Sequence, residues 1–341
     1  QRSDEEVDQA VKQLTHVVRK YHGLFSVCIK HIRSGNLKLN MLQRRAESLT
    51  DQRRAHLFIN ILWKLLESYN DKLDQQNKID FESMIGDATT LVENAAYKSQ
   101  YKLILVDEFQ DISEPRARLL KALKTQMPFC KIFVVGDDWQ SIYRFAGSDV
   151  TIFTGFEKHF GEAWQGKLQK TFRSNEVIAK LSADFIQKNP DQVDKAVSSS
   201  RPGIPKSVRV VPISTINGKT AFDKACLKIL ERINNFLKER GETRKYEVLV
   251  LSRYNFNQPS GLKNLVLSHL NVSYKTFHRS KGLEADFTVL LDVSEGIYGV
   301  PSRIEDDELL NLVVPLPETF PYAEERRLFY VALTRASKGA F

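Results

Sequence analysis

The chain has 341 residues, of which 42% are hydrophobic and 27% charged, a balance that is ordinary for a water-soluble globular protein. The length allows two domains with their own cores, and no apolar run approaches the ~20 residues of a membrane span, so we expect a cytoplasmic protein without a membrane partner. Fifty basic and 42 acidic residues give a net charge of +8, which suits a polyanionic partner without requiring one.

Cysteine and histidine usage argues against two further classes of site. The cysteines, Cys28, Cys130 and Cys226, are odd in number and far apart, which predicts neither a disulfide framework nor a cysteine-based zinc site. The seven histidines show no metal-ligand spacing. The same cysteine usage predicts a reducing compartment, and the first residues lack the character of a signal peptide.

Residues 3 to 75 have the spacing of helices. One apolar stripe ends at Val18, a second stretch runs from Ala55 to Leu73, and Gly35-Asn36 between them is a turn signal. Arginines flank the second stretch, and the pattern leaves open whether they contact nucleic acid or only face solvent. The first stripe consists of Val7, Val11, Leu14, Val17 and Val18, and the arginines are Arg44, Arg45, Arg53 and Arg54.

The stretch from Tyr101 to Asp149 organises the rest of the chain, because each of its halves is a short apolar run that ends in acidic residues. Such runs predict strands buried on both faces of a parallel sheet. Pro115–Gln126 between them has helical spacing, and a further helix is predicted over Ile79–Asn94. Ligands of such sheets bind beyond the carboxyl ends of the strands, where both acidic clusters fall.

These acidic clusters are suited to nucleotide hydrolysis. Asp107 and Glu108 are adjacent at a strand end, so one can hold Mg²⁺, directly or through water, while the other polarises the attacking water. Gln140 follows the second run and is placed to orient that water or to read the γ-phosphate. A single Asp-Glu pair is equally well explained as a solvated strand end, but two such clusters on consecutive strands favour a catalytic site.

The second half of the chain alternates between strand and helix patterns, which predicts a second α/β domain. The stretch that starts at Ser198 with Ser-Ser-Ser-Arg-Pro-Gly-Ile-Pro is predicted as a loop, and so is Asp306–Pro321. A helix is predicted over Phe222–Arg240. Strands are predicted at Ser207–Ile213, Glu247–Ser252, Val272–Thr276 and Phe287–Val293.

A phosphate-binding loop of the form Gly-x-x-x-x-Gly-Lys-[Ser/Thr] does not occur in these 341 residues. The nearest candidate is Gly218-Lys219-Thr220, between a predicted strand and a predicted helix. Its first glycine would have to stand at position 213, which is Ile213, so the sterically open cradle is missing. We interpret this tripeptide as a decoy.

Five blocks resemble the motifs of UvrD/Rep-type superfamily 1 DNA helicases, in the family's own order and nearest to its bacterial helicase IV branch. The two acidic strand ends resemble motifs II and III. Further matches are Leu-Gln-Lys-Thr-Phe-Arg-Ser-Asn at Leu168–Asn175 for motif IV, Thr-Phe-His-Arg-Ser-Lys-Gly-Leu-Glu at Thr276–Glu284 for motif V, and Glu324–Ala336, with Tyr-Val-Ala-Leu-Thr-Arg-Ala, for motif VI. The resemblance extends from about Ile79 to Ser337.

The resemblance implies an α/β fold of two RecA-like parallel-sheet P-loop NTPase domains, the first one truncated, with a helical accessory insertion. Residues 1–75 would form the accessory region, 76–167 the C-terminal part of the first RecA-like domain, and 168–341 the second. About 100 residues separate motif IV from motif V, so we expect a second accessory domain to be absent or vestigial. The family's phosphate loop precedes motif II, and we expect this sequence to be a piece without it.

The resemblance also implies ATP and Mg²⁺ as cofactors and assigns nucleotide-site residues. Asp107 would serve the metal ion, possibly through water, and Glu108 would be the general base. Gln140 would couple the γ-phosphate to the DNA-binding loop after it. The remaining assignments are Phe172, in the place of an adenine-stacking tyrosine; Gly282 and Glu284, the latter for the ribose hydroxyl; and Arg173 and Arg335, for the γ-phosphate.

On the DNA side, the resemblance assigns Tyr143 and Phe145 to base stacking and Thr276 and His278 to the sugar-phosphate backbone. Core packing is the alternative for the two aromatic residues. Ala146 stands where many relatives have arginine, so we expect one DNA contact to be lost. A single histidine usually has a structural role, but its place in the Thr-x-His-x-x-Lys-Gly-Leu-Glu block favours function.

The expected function is that of a monomeric, ATP-driven helicase or translocase on single-stranded DNA and duplex junctions, moving 3′ to 5′ and acting in DNA repair. Without the phosphate loop, we expect no ATP hydrolysis by this piece alone. Two alternatives stay open: a catalytically silent helicase-like scaffold, and the motor part of a helicase–nuclease. RNA is not excluded by the chemistry of stacking.

Overall fold

The computed structural model describes residues 21–213 and 218–341, the second range without the side chains of residues 218–220. The predicted stripe from Val7 to Val18 lies outside the described residues. The chain divides into two compact units, and the predicted boundaries after residues 75 and 167 stay predictions. Unit 1 is Gln1–Gly136, Tyr143–Glu162 and Asp306–Pro317; unit 2 is Asp137–Ile142, Ala163–Glu305 and Glu318–Phe341.

Helices form the first part of unit 1. Their common core includes Phe58 and Leu62, whereas Leu57, Ile61 and Leu65 on the other side of the same helix are exposed. Asp51 and Asp80 cap the third and fourth helices by accepting hydrogen bonds from the backbone N–H of the third residue of each helix. The helices are α1 (residues 21–35), α2 (Leu39–Ala46), α3 (Gln52–Gln75) and α4 (Phe81–Glu93).

The predicted strand–helix–strand unit is confirmed in unit 1, but the prediction that its strands are buried on both faces is wrong. Strands β1 (Leu103–Val106) and β2 (Lys131–Val134) pair in parallel, and helix α5 (Glu114–Gln126) connects them. One face of this sheet packs against Phe109 and the short helices α6 (Val150–Thr154) and α7 (Phe156–Phe160). Both strands therefore end next to a packed layer that fixes the loops after them. Leu105 and Phe133, which share the other face of the sheet, are 67% and 54% exposed.

The acidic segment Asp306–Pro317 also packs into unit 1. Leu309, Leu312 and Val314 are buried against α2 and α3. The Arg54 guanidinium donates to the Asp307 carboxylate at 2.6 Å, and Arg45 donates to the backbone oxygen of Leu312 at 2.9 Å. Two of the four arginines left open by the sequence therefore bind this segment within the protein.

Unit 2 is a second parallel α/β arrangement. Its elements are β3 (Lys170–Asn175), α8 (Glu176–Ile186), β4 (Ser198–Arg201), α9 (Gly218–Glu239), β5 (Tyr246–Ser252), β6 (Leu270–Thr276), β7 (Ala285–Leu290), α10 (Ala323–Leu333) and β8 (Ala336–Ala340). The largest sheet has the strand order β6-β5-β7-β8, and β3 and β4 form a separate parallel pair. Helix α9 packs its face of Cys226, Leu230, Ile233 and Leu237 on the larger sheet, as the periodicity predicts.

Two predictions for unit 2 are wrong. Ser198–Arg201, predicted as loop, is strand β4, because its backbone pairs with β3 although it carries no apolar side chain. Ser207–Ile213, predicted as a strand, forms only an isolated bridge from Val208 to Ala340, and Val210 is 91% exposed.

In the part of the chain that the structure describes, no helix combines the length and the apolar character that a membrane span requires.

Candidate functional site

The loop after β1 places two carboxylates in solvent. Asp107 and Glu108 are both exposed, and the Asp107 carboxylate accepts a hydrogen bond from the backbone N–H of Glu108 at 2.8 Å. Glu108 has φ 51° and ψ 40°, the left-handed region that non-glycine residues rarely adopt. The buried Gln110 side-chain amide donates to the Glu108 carboxylate and fixes its direction. Two hard oxygen donors open to water fit Mg²⁺, which keeps several water ligands and binds one or two carboxylates together with phosphate.

Gly136, at the end of β2, is required by this packing. A Cβ atom built there would lie 2.6 Å from the Gln110 side-chain oxygen and 2.9 Å from the Phe153 ring. Any larger residue would displace Gln110 and with it the hydrogen bond to Glu108. The glycine of the Gly-Asp-Asp block therefore serves the carboxylate loop of unit 1.

The next six residues, Asp137–Ile142, form a turn that belongs to unit 2; we call it the motif III turn. The Gln140 side-chain N–H donates to the Asp137 carboxylate at 2.7 Å, and the Gln140 side-chain oxygen accepts from Arg335 at 3.2 Å. The Lys281 ammonium donates to the backbone oxygen of Gln140 at 2.9 Å. The structure thus brings together a glutamine and an arginine that are 195 positions apart in the sequence.

Arg335 is a buried cation with neutral partners, and it is only 1% exposed. Its guanidinium donates to the backbone oxygens of Val331 and Leu283, at 2.8 and 3.3 Å, and to Gln140 and Thr334. Within the described residues no carboxylate forms an ion pair with it. Burial, and then the neighbouring charge of Arg173, lower the pKa of Arg335 to about 10. It stays charged at neutral pH, at a desolvation cost that a bound anion would offset.

Two other residues assigned to the nucleotide pair with each other. Arg173 donates to the Glu284 carboxylate at 2.9 Å, and this hydrogen bond lowers the pKa of Glu284. The ring of Phe172 is 68% exposed, as a stacking surface must be. Gly282 has φ +80°, the left-handed region that favours glycine, two residues before Glu284. Arg173, Glu284 and Arg335 therefore share one region of unit 2.

The two aromatic residues assigned to DNA lie together in unit 1. The ring centroids of Tyr143 and Phe145 are 6.0 Å apart and nearly perpendicular. Phe145 is 52% exposed, whereas Tyr143 is partly buried and burial raises the pKa of its hydroxyl. The His31 ring nitrogen Nε2 lies 3.3 Å from the backbone oxygen of Phe145. The alternative of core packing therefore suits the partly buried Tyr143 better than the exposed Phe145.

The motif V residues lie at the carboxyl end of β6 in unit 2. Thr276 is buried, and its hydroxyl oxygen accepts from the backbone N–H of Arg279 at 3.3 Å. Burial, and then Arg253, lower the pKa of His278 to about 4, so its imidazole is neutral at physiological pH. A neutral histidine can hydrogen-bond a sugar or phosphate oxygen but adds no charge to such a contact.

Sequence reasoning missed Lys195 and gave no role to Asp137 or Asp138. The Lys195 ammonium lies 2.6 Å from the Asp137 carboxylate and 2.5 Å from the Asp138 carboxylate. The two aspartates stand inside a recognised block, so their position was a usable signal. Lys195 lies between α8 and β4 outside any block, and nothing in its local sequence marks it.

Comparisons with known proteins match two family models to this chain. The family model described as the UvrD/REP helicase N-terminal domain matches residues 3–161, and that of the UvrD-like helicase C-terminal domain matches residues 254–340. The chain is 36% identical to DNA helicase IV of Escherichia coli (strain K12) over 280 residues, which is 82% of this chain and 39% of that protein.

A second relative covers a shorter stretch. The ATP-dependent DNA helicase PcrA of Staphylococcus aureus (strain Mu50 / ATCC 700699) is 30% identical over 134 residues, 38% of this chain and 18% of that protein. The chain therefore spans well under half the length of either relative. The matches and the parallel sheets confirm the fold class expected from the motifs, a RecA-like α/β fold.

Proposed function

The chain belongs to the UvrD/Rep-type family of superfamily 1 helicases, and from that membership we propose that the intact protein is an ATP-driven motor that moves 3′ to 5′ along single-stranded DNA and opens duplex junctions. The observation that carries the proposal is the hydrogen bond from buried Arg335 to Gln140. It joins motif VI to motif III through a cation that the fold leaves without a carboxylate partner among the described residues. Such a cation is suited to a phosphate.

The proposed chemistry divides between two sets of residues. Asp107 would hold Mg²⁺, which would supply positive charge to the phosphate oxygens, and Glu108 would polarise the attacking water. Arg335 and Arg173 stabilise the charge that develops on the transferred phosphoryl group, an effect worth ~10³–10⁵ in rate in related phosphoryl transfer. Arg173 bonds Glu284 through its Nε–H in this structure, so the remaining N–H groups of its guanidinium can meet a phosphate while that contact is kept.

The remaining assignments complete the proposal. Phe172 stacks on adenine and Glu284 binds the ribose, while Gly282 provides the turn before it. Phe145, with Tyr143 behind it, stacks on bases without sequence preference, a contact worth ~1–3 kcal/mol per base. Thr276 and His278 contact the sugar-phosphate backbone.

ATP turnover should require more than these 341 residues. They contain no Gly-x-x-x-x-Gly-Lys-[Ser/Thr] loop to supply backbone N–H groups and a lysine to the phosphates. We therefore expect no measurable turnover by the 341-residue chain alone. Turnover by the purified chain that Glu108→Gln abolishes would contradict this expectation.

The test uses the intact protein that contains this chain. We expect DNA-stimulated ATP hydrolysis that Glu108→Gln and Arg335→Lys each reduce by at least ~10³, with the thermal midpoint measured for every variant. Arg335→Lys keeps the charge but removes the planar group that reaches four acceptors. Arg232→Ala, at an exposed position of α9, is the matched control and should be unaffected.

Two outcomes separate the alternatives. An intact, folded protein that binds DNA but does not hydrolyse ATP would be the silent scaffold. DNA cleavage coupled to ATP hydrolysis would indicate the motor of a helicase–nuclease.

Strand displacement on substrates with 3′ or 5′ single-stranded tails measures the direction of movement.

A further inference from the structure

Lys195 lies at the centre of a partly buried cluster in unit 2, which we call the Lys195 cluster: Lys195, Asp137, Asp138, Trp139 and Gln140. Its ammonium group bonds both aspartates, at 2.6 and 2.5 Å, and lies 4.7 Å from the centre of the Trp139 ring. Asp138 is fully buried, and Trp139 is 1% exposed. The Lys195 ammonium therefore bonds two adjacent carboxylates, of which Asp138 is buried and Asp137 is 29% exposed.

The backbone near Lys195 reinforces the cluster. The N–H of Val193 donates to the second oxygen of the Asp138 carboxylate at 2.8 Å, and the backbone oxygen of Val193 accepts from the Trp139 indole N–H at 3.1 Å. The backbone of Val193, in the loop between α8 and β4, thus hydrogen-bonds the side chains of two consecutive residues of the motif III turn. Hydrogen bonds of this kind orient side chains as well as stabilise them.

The cluster continues to the phosphate-facing residues through Asp137. One Asp137 oxygen is bonded to Lys195, and the other accepts from the Gln140 side chain at 2.7 Å. Gln140 in turn accepts from Arg335 through its side-chain oxygen. The side-chain amide of Gln140 has an NH₂ group that donates and an oxygen that accepts. Because Asp137 binds the NH₂ group, the oxygen is the atom that faces Arg335.

Resting on the proposed function, we propose that Lys195 is a positioning residue for ATP hydrolysis, which acts through Asp137 to hold the Gln140 side chain in the orientation that Arg335 and the γ-phosphate require. Without the ammonium group, two neighbouring carboxylates would repel each other, and Asp137 would turn away from the buried Asp138. Gln140 would then lose the acceptor that fixes its amide. In metal enzymes, mutation of residues that hydrogen-bond the groups in direct contact with the metal ion typically lowers metal affinity or activity by ~10–100-fold.

The experiment measures kcat and KM for ATP in the DNA-stimulated reaction of the intact protein. Lys195→Met keeps the length of the side chain and removes its charge. We expect it to lower kcat roughly tenfold with little change in KM, since the lost interaction serves the transition state. Lys195→Arg, which keeps the charge, should restore part of the rate. Lys180→Met, at an exposed position of α8 in the same unit, is the matched control.

A double variant distinguishes positioning from a merely structural role. In a Gln140→Ala background, Lys195→Met should have no further effect on kcat, because the residue through which it acts is gone. If the double variant lost kcat by the product of the two single losses, Lys195 would act independently of Gln140, and the proposal would be overturned. If Lys195→Met does not fold, Asp137→Ala is measured instead; it removes the acceptors of both Lys195 and Gln140 while Lys195 keeps its bond to Asp138.

The outcomes for the two proposals can be told apart. Absence of ATP hydrolysis by the intact wild-type protein would refute the proposed function, and the role of Lys195 with it. An active wild type, an impaired Gln140→Ala and a Lys195→Met variant as active as Lys180→Met would refute the role of Lys195 alone. A Gln140→Ala variant with wild-type kcat would do the same.

Discussion

At the scale of single residues, Asp138 makes the Lys195 cluster sensitive to pH. Burial raises the pKa of Asp138, and Lys195, whose ammonium group it bonds, partly opposes that rise; Asp137 adds to it. A raised pKa means that the folded state binds this proton more tightly than the unfolded state. The contribution of Asp138 to stability is therefore greatest at low pH and is lost as the pH rises through its pKa in the folded state.

Lys195→Met should deepen this pH dependence, because it removes the charge that opposes the rise of the Asp138 pKa. We expect the variant to lose more thermal stability at pH 7.5 than at pH 4, relative to the wild type. Thermal midpoints of the 341-residue chain between pH 4 and pH 8 measure this without any activity assay. Lys180→Met should follow the wild type throughout. A loss from Lys195→Met that is equal at every pH would show that packing, and not charge, accounts for it.

At the scale of elements, Asp306–Pro317 stabilises the helices of unit 1 chiefly by apolar burial. Leu312 is fully buried in the helical core, so Leu312→Ala should cost about 2–5 kcal/mol of unfolding free energy. The Arg54–Asp307 ion pair is about one-third exposed on both sides. Arg54→Ala should therefore cost no more than about 1 kcal/mol.

Urea denaturation followed by the fluorescence of Trp63, which packs on the same core, measures both changes in a background in which Trp139 and Trp164 are replaced by phenylalanine. The matched control is Leu316→Ala in the same segment, since Leu316 is 69% exposed and should change stability by less than about 0.5 kcal/mol. If Arg54→Ala proved more costly than Leu312→Ala, the ion pair and not the apolar contact would attach the segment.

Sequence patterns predicted elements where burial alone decides the structure. The apolar runs predicted the positions of β1, β2, β5, β6 and β7, because each of these strands has at least one face that packs in a core. Burial of both faces holds for most of β5 but not for β1 and β2, where Leu105 and Phe133 are 67% and 54% exposed. The patterns failed where backbone pairing decides the structure. Ser198–Arg201 forms a strand because its backbone pairs with β3. Val210 is part of an alternating pattern that predicts a strand, yet its side chain is exposed to solvent. The hydrogen bonds of Gln140 and Lys195 were also beyond prediction, since they depend on which distant segment the fold brings near.

At the scale of the whole molecule, the two units have separate cores, and each contains a buried thiol that can report its opening. Burial raises the pKa of Cys28 in unit 1 and of Cys226 in unit 2 to about 12. At pH 8 about one such thiol in 10⁴ would be ionised, so we expect neither to react with a thiol reagent in the native chain. In rising urea, each should become reactive when its own unit unfolds. Mass spectrometry of labelled peptides measures both sites in one sample, with Cys28→Ala and Cys226→Ala as controls, and rapid native labelling of either thiol would contradict its burial.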